Sequence, residues 1–93
     1  MTPKEWKDLR DGFYRDIRAS ALIWKAFTSR LELDVDINFD PYTKKMSVVD
    51  INTDDIYLKT DKLADVEKWL KKKIKANPDL ELAMHAAGYE GDL

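Results

Sequence analysis

Glu32, Asp34, Asp36, Asn38 and Asp40 occupy alternate positions in the stretch LELDVDINFD, placing four carboxylates and an amide within nine residues. Carboxylates grouped in this way hold a divalent cation, exchange a proton in catalysis, or present negative charge to a basic partner. The cation reading is the easiest to examine. Asp34, Asp36 and Asn38 match the first three ligand positions of an EF-hand loop, but that loop then needs a glycine and closes on a glutamate, where the chain has Phe39 and Lys45. The strict period of two is strand behaviour instead, and it lines the acids along one side of an extended segment. Only Asp36 together with Asp50 remains as a cation pair, should strand pairing bring them face to face.

Acid–base catalysis finds less support. Glycoside hydrolysis needs two carboxyls across a sugar-sized cleft with one pKa raised by burial, and an open sheet offers no such cleft. His85, the only histidine, lies in AMHAAG without a second ligand at helical spacing. There is no Ser-His-Asp arrangement or dinucleotide motif, and the three glycines, at 12, 88 and 91, are too few and too scattered for a phosphate cradle.

A second charged cluster is basic. Lys71, Lys72, Lys73 and Lys75, with Lys62, Lys68 and Trp69, set lysines beside an aromatic, a combination that can follow a phosphate backbone. The plainer reading is an exposed helix end, where lysines complement the dipole and Glu67 and Lys71 form an i, i+4 pair.

The elements that must position these groups follow from periodicity and caps. Thr2-Pro3-Lys4-Glu5 is a helix start, with Thr2 as cap, Pro3 at the first helical position and Glu5 placed for a capping box. One long helix is expected over residues 4–29. Trp6, Leu9, Phe13, Ile17, Ser20, Trp24 and Phe27 form a stripe that extends to Leu31 and should meet a sheet. Gly12 inside it marks a close contact or a bend. Ala19, Leu22, Ile23 and Ala26 fall off that stripe, so the second half is apolar nearly all round and needs cover on both sides.

Strands are expected over 31–40, 46–51 and 55–59, joined by the turn-prone clusters Asp40-Pro41-Tyr42-Thr43 and Asn52-Thr53-Asp54. Loops this short imply an antiparallel meander. A simple register sets Ile51 against Ile56 and Val49 against Leu58, and on the outer face Asp36 opposite Asp50 with Tyr57 beyond. Like charges directly opposed are unfavourable, so a bulge at Val48-Val49 is the alternative. A second helix, capped by Thr60 or Asp61, carries Leu63, Val66, Leu70 and Ile74 at helical spacing and ends at Asn77-Pro78. Trp69 sits on its flank and packs over the sheet edge. A short third helix follows, stopped by Gly88, whose Leu80, Ala83, Met84 and Ala87 cover the second apolar side of the first helix. The reading is a single α+β domain spanning residues 1–93, of order α-β-β-β-α-α, with helices on one face of a three-stranded antiparallel sheet and residues 88–93 as a flexible tail.

Composition agrees. Ninety-three residues with 44% apolar and 11% aromatic content fill one core, and the absence of cysteine removes disulfides and thiolate chemistry. The N-terminus carries no apolar export signal, and ALIWKAF is far shorter than the roughly 20 residues that span a bilayer. A cytoplasmic protein without membrane contact is therefore expected. Charge is sorted by segment: residues 1–30 hold seven Lys/Arg and four Asp/Glu, residues 31–61 three and eight, residues 62–77 six and two, and residues 78–93 none and four.

Taken together, these features describe a non-enzymatic protein-interaction domain without a cofactor. Its acidic face, with Glu32, Asp34, Asp36, Asp40, Asp50 and Tyr57 as binding candidates, engages another protein with a basic surface. One form is occupation of a nucleic-acid-binding groove, with carboxylates standing in for phosphates. Small size, segregated charge and no catalytic constellation resemble, as a type, the accessory and inhibitor proteins carried by bacteria and their mobile elements. The alternative is nucleic-acid binding through the lysine-rich helix. The double-stranded-RNA-binding fold shares the α-β-β-β-α order, but that family puts lysines at the start of its last helix, where this chain reads Thr60-Asp61-Lys62-Leu63-Ala64-Asp65. A small cation-binding or enzymatic domain is the third reading.

Overall fold

The computed structural model describes residues 1–28 and 33–90. Helices α1 (Pro3–Ala19) and α2 (Ala21–Thr28) precede strands β1 (Val35–Asp40), β2 (Lys45–Asp50) and β3 (Ile56–Thr60), and helices α3 (Leu63–Lys75) and α4 (Pro78–Ala86) close the chain. The sheet is antiparallel in the order β1-β2-β3. This is the expected α+β architecture, with two helices where one long one was anticipated.

The division falls at Ser20. Its backbone is extended (φ −87°, ψ 106°), its hydroxyl accepts the Ile23 N–H at 3.3 Å, and its carbonyl accepts the Trp24 N–H at 2.9 Å. A serine is among the best N-caps because its short side chain satisfies an otherwise orphaned amide. The break rotates the second helix, so α1 buries Phe13 and Ile17 while α2 buries Leu22, Ile23 and Ala26. That is why the second half looks apolar all round when read as one continuous helix. Trp6 and Trp24, placed on the sheet-facing stripe by that reading, are instead 39% and 40% exposed.

Thr2 caps α1 as expected, accepting the Glu5 N–H at 3.2 Å. Gly12 marks neither a contact nor a bend: a Cβ there meets only the Arg15 guanidinium, at 3.9 Å, and the helix runs through it unbroken.

Leu31 and Glu32, where the alternating pattern begins, lie outside the described residues, and β1 begins at Val35 because Asp34 has φ 54° and gives its carbonyl to the Ile51 N–H at 3.0 Å. A left-handed residue cannot continue a strand. Pairing runs Asp36↔Val49, Ile37↔Val48, Asn38↔Ser47 and Asp40↔Lys45, so Asp36 does not oppose Asp50. On the other side Val48 pairs with Leu58 and Val49 with Ile56, which leaves Tyr57 as an extra, bulged residue. Ile51 lies in the following turn and is exposed. A bulge thus occurs at Val48/Val49, but against β3; β1 and β2 pair without one, and their register by itself keeps Asp36 from opposing Asp50.

Val35, Ile37, Phe39, Met46, Val48, Leu58 and Thr60 face the helices, and Asp36, Asn38, Asp40, Lys45, Ser47, Val49, Ile56 and Lys59 lie on the open face. Helix α3 supplies the centre of the core: Val66, Leu70 and Ile74 are fully buried with Ile23, Val48 and Met84. It begins without the anticipated side-chain cap at its first amides. Thr60 Oγ1 instead donates to Asp65 and accepts the Lys62 N–H at 3.1 Å. Asn77 caps α4 by accepting from Asp79, and Gly88 (φ 93°) ends it, with Tyr89 donating back to the Met84 carbonyl at 3.1 Å. Lys25 reaches from α2 to the Ala87 carbonyl at 2.7 Å, tying the two helices together.

Because Gly12 has free space and ordinary helical geometry, Gly12→Ala should raise the unfolding free energy by about 0.5–1 kcal/mol. A urea titration of both proteins checks this; equal or lower stability of the variant contradicts it.

Candidate functional site

The sequence nominated two charged surfaces, and the fold distributes their members unequally. Asp36 and Asp40 lie on the open face of β1, which is exposed. Asp36 Oδ1 accepts the Ile37 N–H at 2.8 Å, and Asp40 Oδ1 accepts the Tyr42 N–H at 2.9 Å in the hairpin. Asp34 is exposed just before the strand, and Glu32 lies outside the described residues. The open face is not uniformly acidic, because Lys45 and Lys59 share it.

Asp50 and Tyr57 belong elsewhere. Asp50 pairs with Val35 and so emerges on the helix side, at the end of β2. There its Oδ1 accepts the N–H groups of Asn52 and Thr53 at 2.8 and 3.1 Å, and its Oδ2 accepts the Tyr57 hydroxyl at 2.6 Å. These bonds hold the Asp50 carboxyl below the usual carboxylate range, the Tyr57 hydroxyl contributing most and the Asn52 amide next. The same bond pushes the Tyr57 phenol up, because losing its proton would set two negative charges against each other. Asp36 and Asp50, on opposite faces, cannot share a cation, and among the described residues no three acidic or histidine side chains converge as metal ligands.

Tyr57 stacks on Trp69 of α3 with ring centroids 5.8 Å apart, and the Lys73 ammonium lies 5.4 Å from the Trp69 ring and 6.0 Å from that of Tyr57. The β3 bulge is thereby fastened to α3, at the sheet edge where Trp69 was expected. Two members of the basic cluster are absorbed in this packing. Lys62, Lys68, Lys71, Lys72 and Lys75 stay exposed along the helix. His85 is also exposed, its Nδ1 3.2 Å from the Tyr89 carbonyl and its Nε2 3.9 Å from Glu81.

The most site-like feature was not foreseen. A cavity of about 580 Å³ opens between α1, α2 and β1. Its helical wall carries Trp6, Arg10 and Tyr14 from α1 and Trp24 and Phe27 from α2, with Phe13 and Ile17 deeper. Phe13 closes the bottom against Phe39, the two rings stacked 4.7 Å apart and nearly parallel. The opposite wall is β1: Asp36, Ile37, Asn38 and Phe39 all line it. Four consecutive strand residues point to both faces of a sheet, so a cavity that touches all four runs along the strand's free edge, not above one face.

The groove is apolar with a few polar groups at its rim, the pattern of a binding site. Arg10 sits over the Trp6 ring, 4.9 Å from its centroid, and Arg18 over Trp24 at 5.6 Å, which holds both indoles in place while leaving them open to solvent. Spacing gave no warning of this, since Trp6 and Trp24 fall on a perfectly regular apolar stripe. The one available signal was Ser20, a strong capping residue within that stripe.

Comparison with known proteins returns no match: no family model fits the chain, and neither curated sequences nor solved structures match it.

Asp50's lowered pKa stabilises the fold above the ordinary carboxylate pKa of about 4, and that contribution disappears as pH falls through the lower folded value. Tyr57→Phe should therefore raise the Asp50 carboxyl midpoint in an NMR titration and make the acid loss of stability shallower. An unchanged midpoint contradicts the bond. In the parent protein the Tyr57 proton works in the other direction: its stabilisation is complete below about pH 10 and lost as pH rises through the raised phenol pKa.

Proposed function

We propose that this chain is a non-enzymatic protein-interaction domain, and that the groove between α1, α2 and β1, with the acids of β1 at its rim, receives a basic partner. One observation carries the reading: exposed Trp6, Tyr14 and Trp24, 39%, 51% and 40% accessible, stand around a single apolar groove instead of being scattered over the surface. Tyrosine, tryptophan and arginine dominate binding hot spots, and the two aromatics bring large contact area with a polar handle while losing little conformational entropy. A grouped patch of this kind calls for an occupant, where single exposed apolar residues do not.

Charge supports a basic partner. Asp36 and Asp40 lie along the strand beside the groove, with Asp34 just before it, and clustered negative charge steers positively charged surfaces into encounter. Lysines on the open face weaken the form in which carboxylates replace a run of phosphates, and favour a site at the edge of β1 over one across the sheet. Among the described residues the groove's lining holds one carboxylate, Asp36, already bonded to its own strand, and no second acid or histidine to complete a proton-transfer pair.

Nucleic-acid binding through the exposed lysines of α3 is the competing reading. A photoreactive residue at position 14, in the groove, and at position 72, on the lysine face, separates them in cells of origin. The expected result is a discrete protein adduct from position 14 that disappears when Trp6 and Trp24 are replaced by serine. A nucleic-acid adduct from position 72 with none from position 14 reverses the assignment.

A further inference from the structure

The occupant's conformation and chemistry can be taken one step further, on the premise that the groove is the interaction site. We infer that the partner supplies an extended segment of alternating apolar and basic residues, which pairs with the free edge of β1 as a fourth strand.

The backbone sets the hydrogen-bonding side. Asp34 directs its carbonyl toward the β2 side, where Ile51 donates to it at 3.0 Å. Bonding direction alternates along an antiparallel strand, so Asp36 and Asn38 also turn their peptide groups toward β2. Val35, Ile37 and Phe39 then turn theirs outward, where among the described residues no strand lies. The Ile37 N–H confirms this sense, being taken by the Asp36 carboxylate at 2.8 Å and not by the ladder. An edge whose peptide groups have no strand partner among the described residues is a template for an added strand.

The two faces of β1 set the side-chain pattern. A strand laid on this edge places alternate residues beside Val35, Ile37 and Phe39, and these descend into the groove between Trp6, Tyr14 and Trp24. The residues between them emerge beside Asp36 and Asp40. Apolar chains suit the first set and lysine or arginine the second. Pairing also frees the Asp36 carboxylate, since the incoming carbonyl replaces it on the Ile37 N–H, and the released charge can meet a basic side chain.

Charge selects against the obvious rival, a second copy of this chain. Antiparallel pairing of two β1 edges centred on Asn38 sets Asp36 of one copy against Asp40 of the other at both ends, and directly opposed like charges are unfavourable. In the register centred on Ile37, Asp36 of each copy meets Asn38 and no basic side chain, so a strand that carries lysine or arginine there complements the acids better than a second copy does.

A synthetic peptide of alternating lysine and leucine, as long as β1, tests this against the intact protein by tryptophan fluorescence. It should bind saturably. N-methylation of the amides that face β1 should weaken it about tenfold or more, since each methyl group removes one peptide hydrogen bond to the strand. A glutamate–leucine peptide should not bind measurably, and Asp36→Asn with Asp40→Asn should weaken the lysine peptide at low salt more than at high salt. No binding of the lysine peptide overturns the inference. So does equal affinity of the methylated peptide, or of the glutamate peptide. Should the photoreactive residue at position 14 still capture a protein partner in any of these cases, the groove remains the site and only strand pairing is lost. No capture from position 14 removes the site itself.

Discussion

Burial of one sheet face by α3 is the constraint on which the rest of the structure depends. Three short strands cannot form an independent core, and they are held here by Val66, Leu70 and Ile74 over Val48 and Met46, with Ile23 of α2 and Met84 of α4 completing the packing. Helix α3 lies toward β3, as the Tyr57–Trp69 stack shows. The β1 side of the same face falls to α1, which meets it through the Phe13–Phe39 stack. The remaining aromatic side chains of α1 and α2 are left around a cavity. The groove follows the edge of β1 on the side that the dominant helix does not reach.

The same constraint explains how much could be read from the chain. Element type and order were legible because the period-two stretch and the Leu63-Val66-Leu70-Ile74 spacing are strong local signals, and because Thr2, Asn77 and Gly88 mark helix ends by local chemistry. What could not be read were choices made between elements. Breaking the first helix at Ser20 satisfies one amide locally but turns Leu22, Ile23 and Ala26 toward the core while leaving Trp24 at the surface. A stripe drawn through both halves has no access to that rotation. Strand pairing is similar: opposition of Asp36 to Asp50 is removed by the β1–β2 register, while the bulge at Val48/Val49, with Tyr57 turned onto Trp69, needed the third strand and α3 together.

Candidate site residues divide along the same line. Asp50, Tyr57, Trp69 and Lys73 have structural partners that account for their types: a turn to close, a bulge to fasten, a ring to cover. Asp36 and Asp40 make only short-range bonds to neighbouring backbone, and their spacing places them along the edge that borders the groove. Alternation in the sequence drew attention to β1 through its face, whereas the groove borders the strand's edge. An edge carries peptide groups as well as side chains, so it can specify a partner's conformation in addition to its charge.

Fluorine NMR of the protein labelled with fluorotryptophan tests the central claim most directly, since its three indoles lie in separate surroundings: Trp6 and Trp24 at the groove, Trp69 against Tyr57. On addition of the protein captured from position 14, the Trp6 and Trp24 signals should shift or broaden together while that of Trp69 stays in place. Movement of Trp69 alone, with Trp6 and Trp24 unchanged, would show that binding occurs on α3 and would contradict the account.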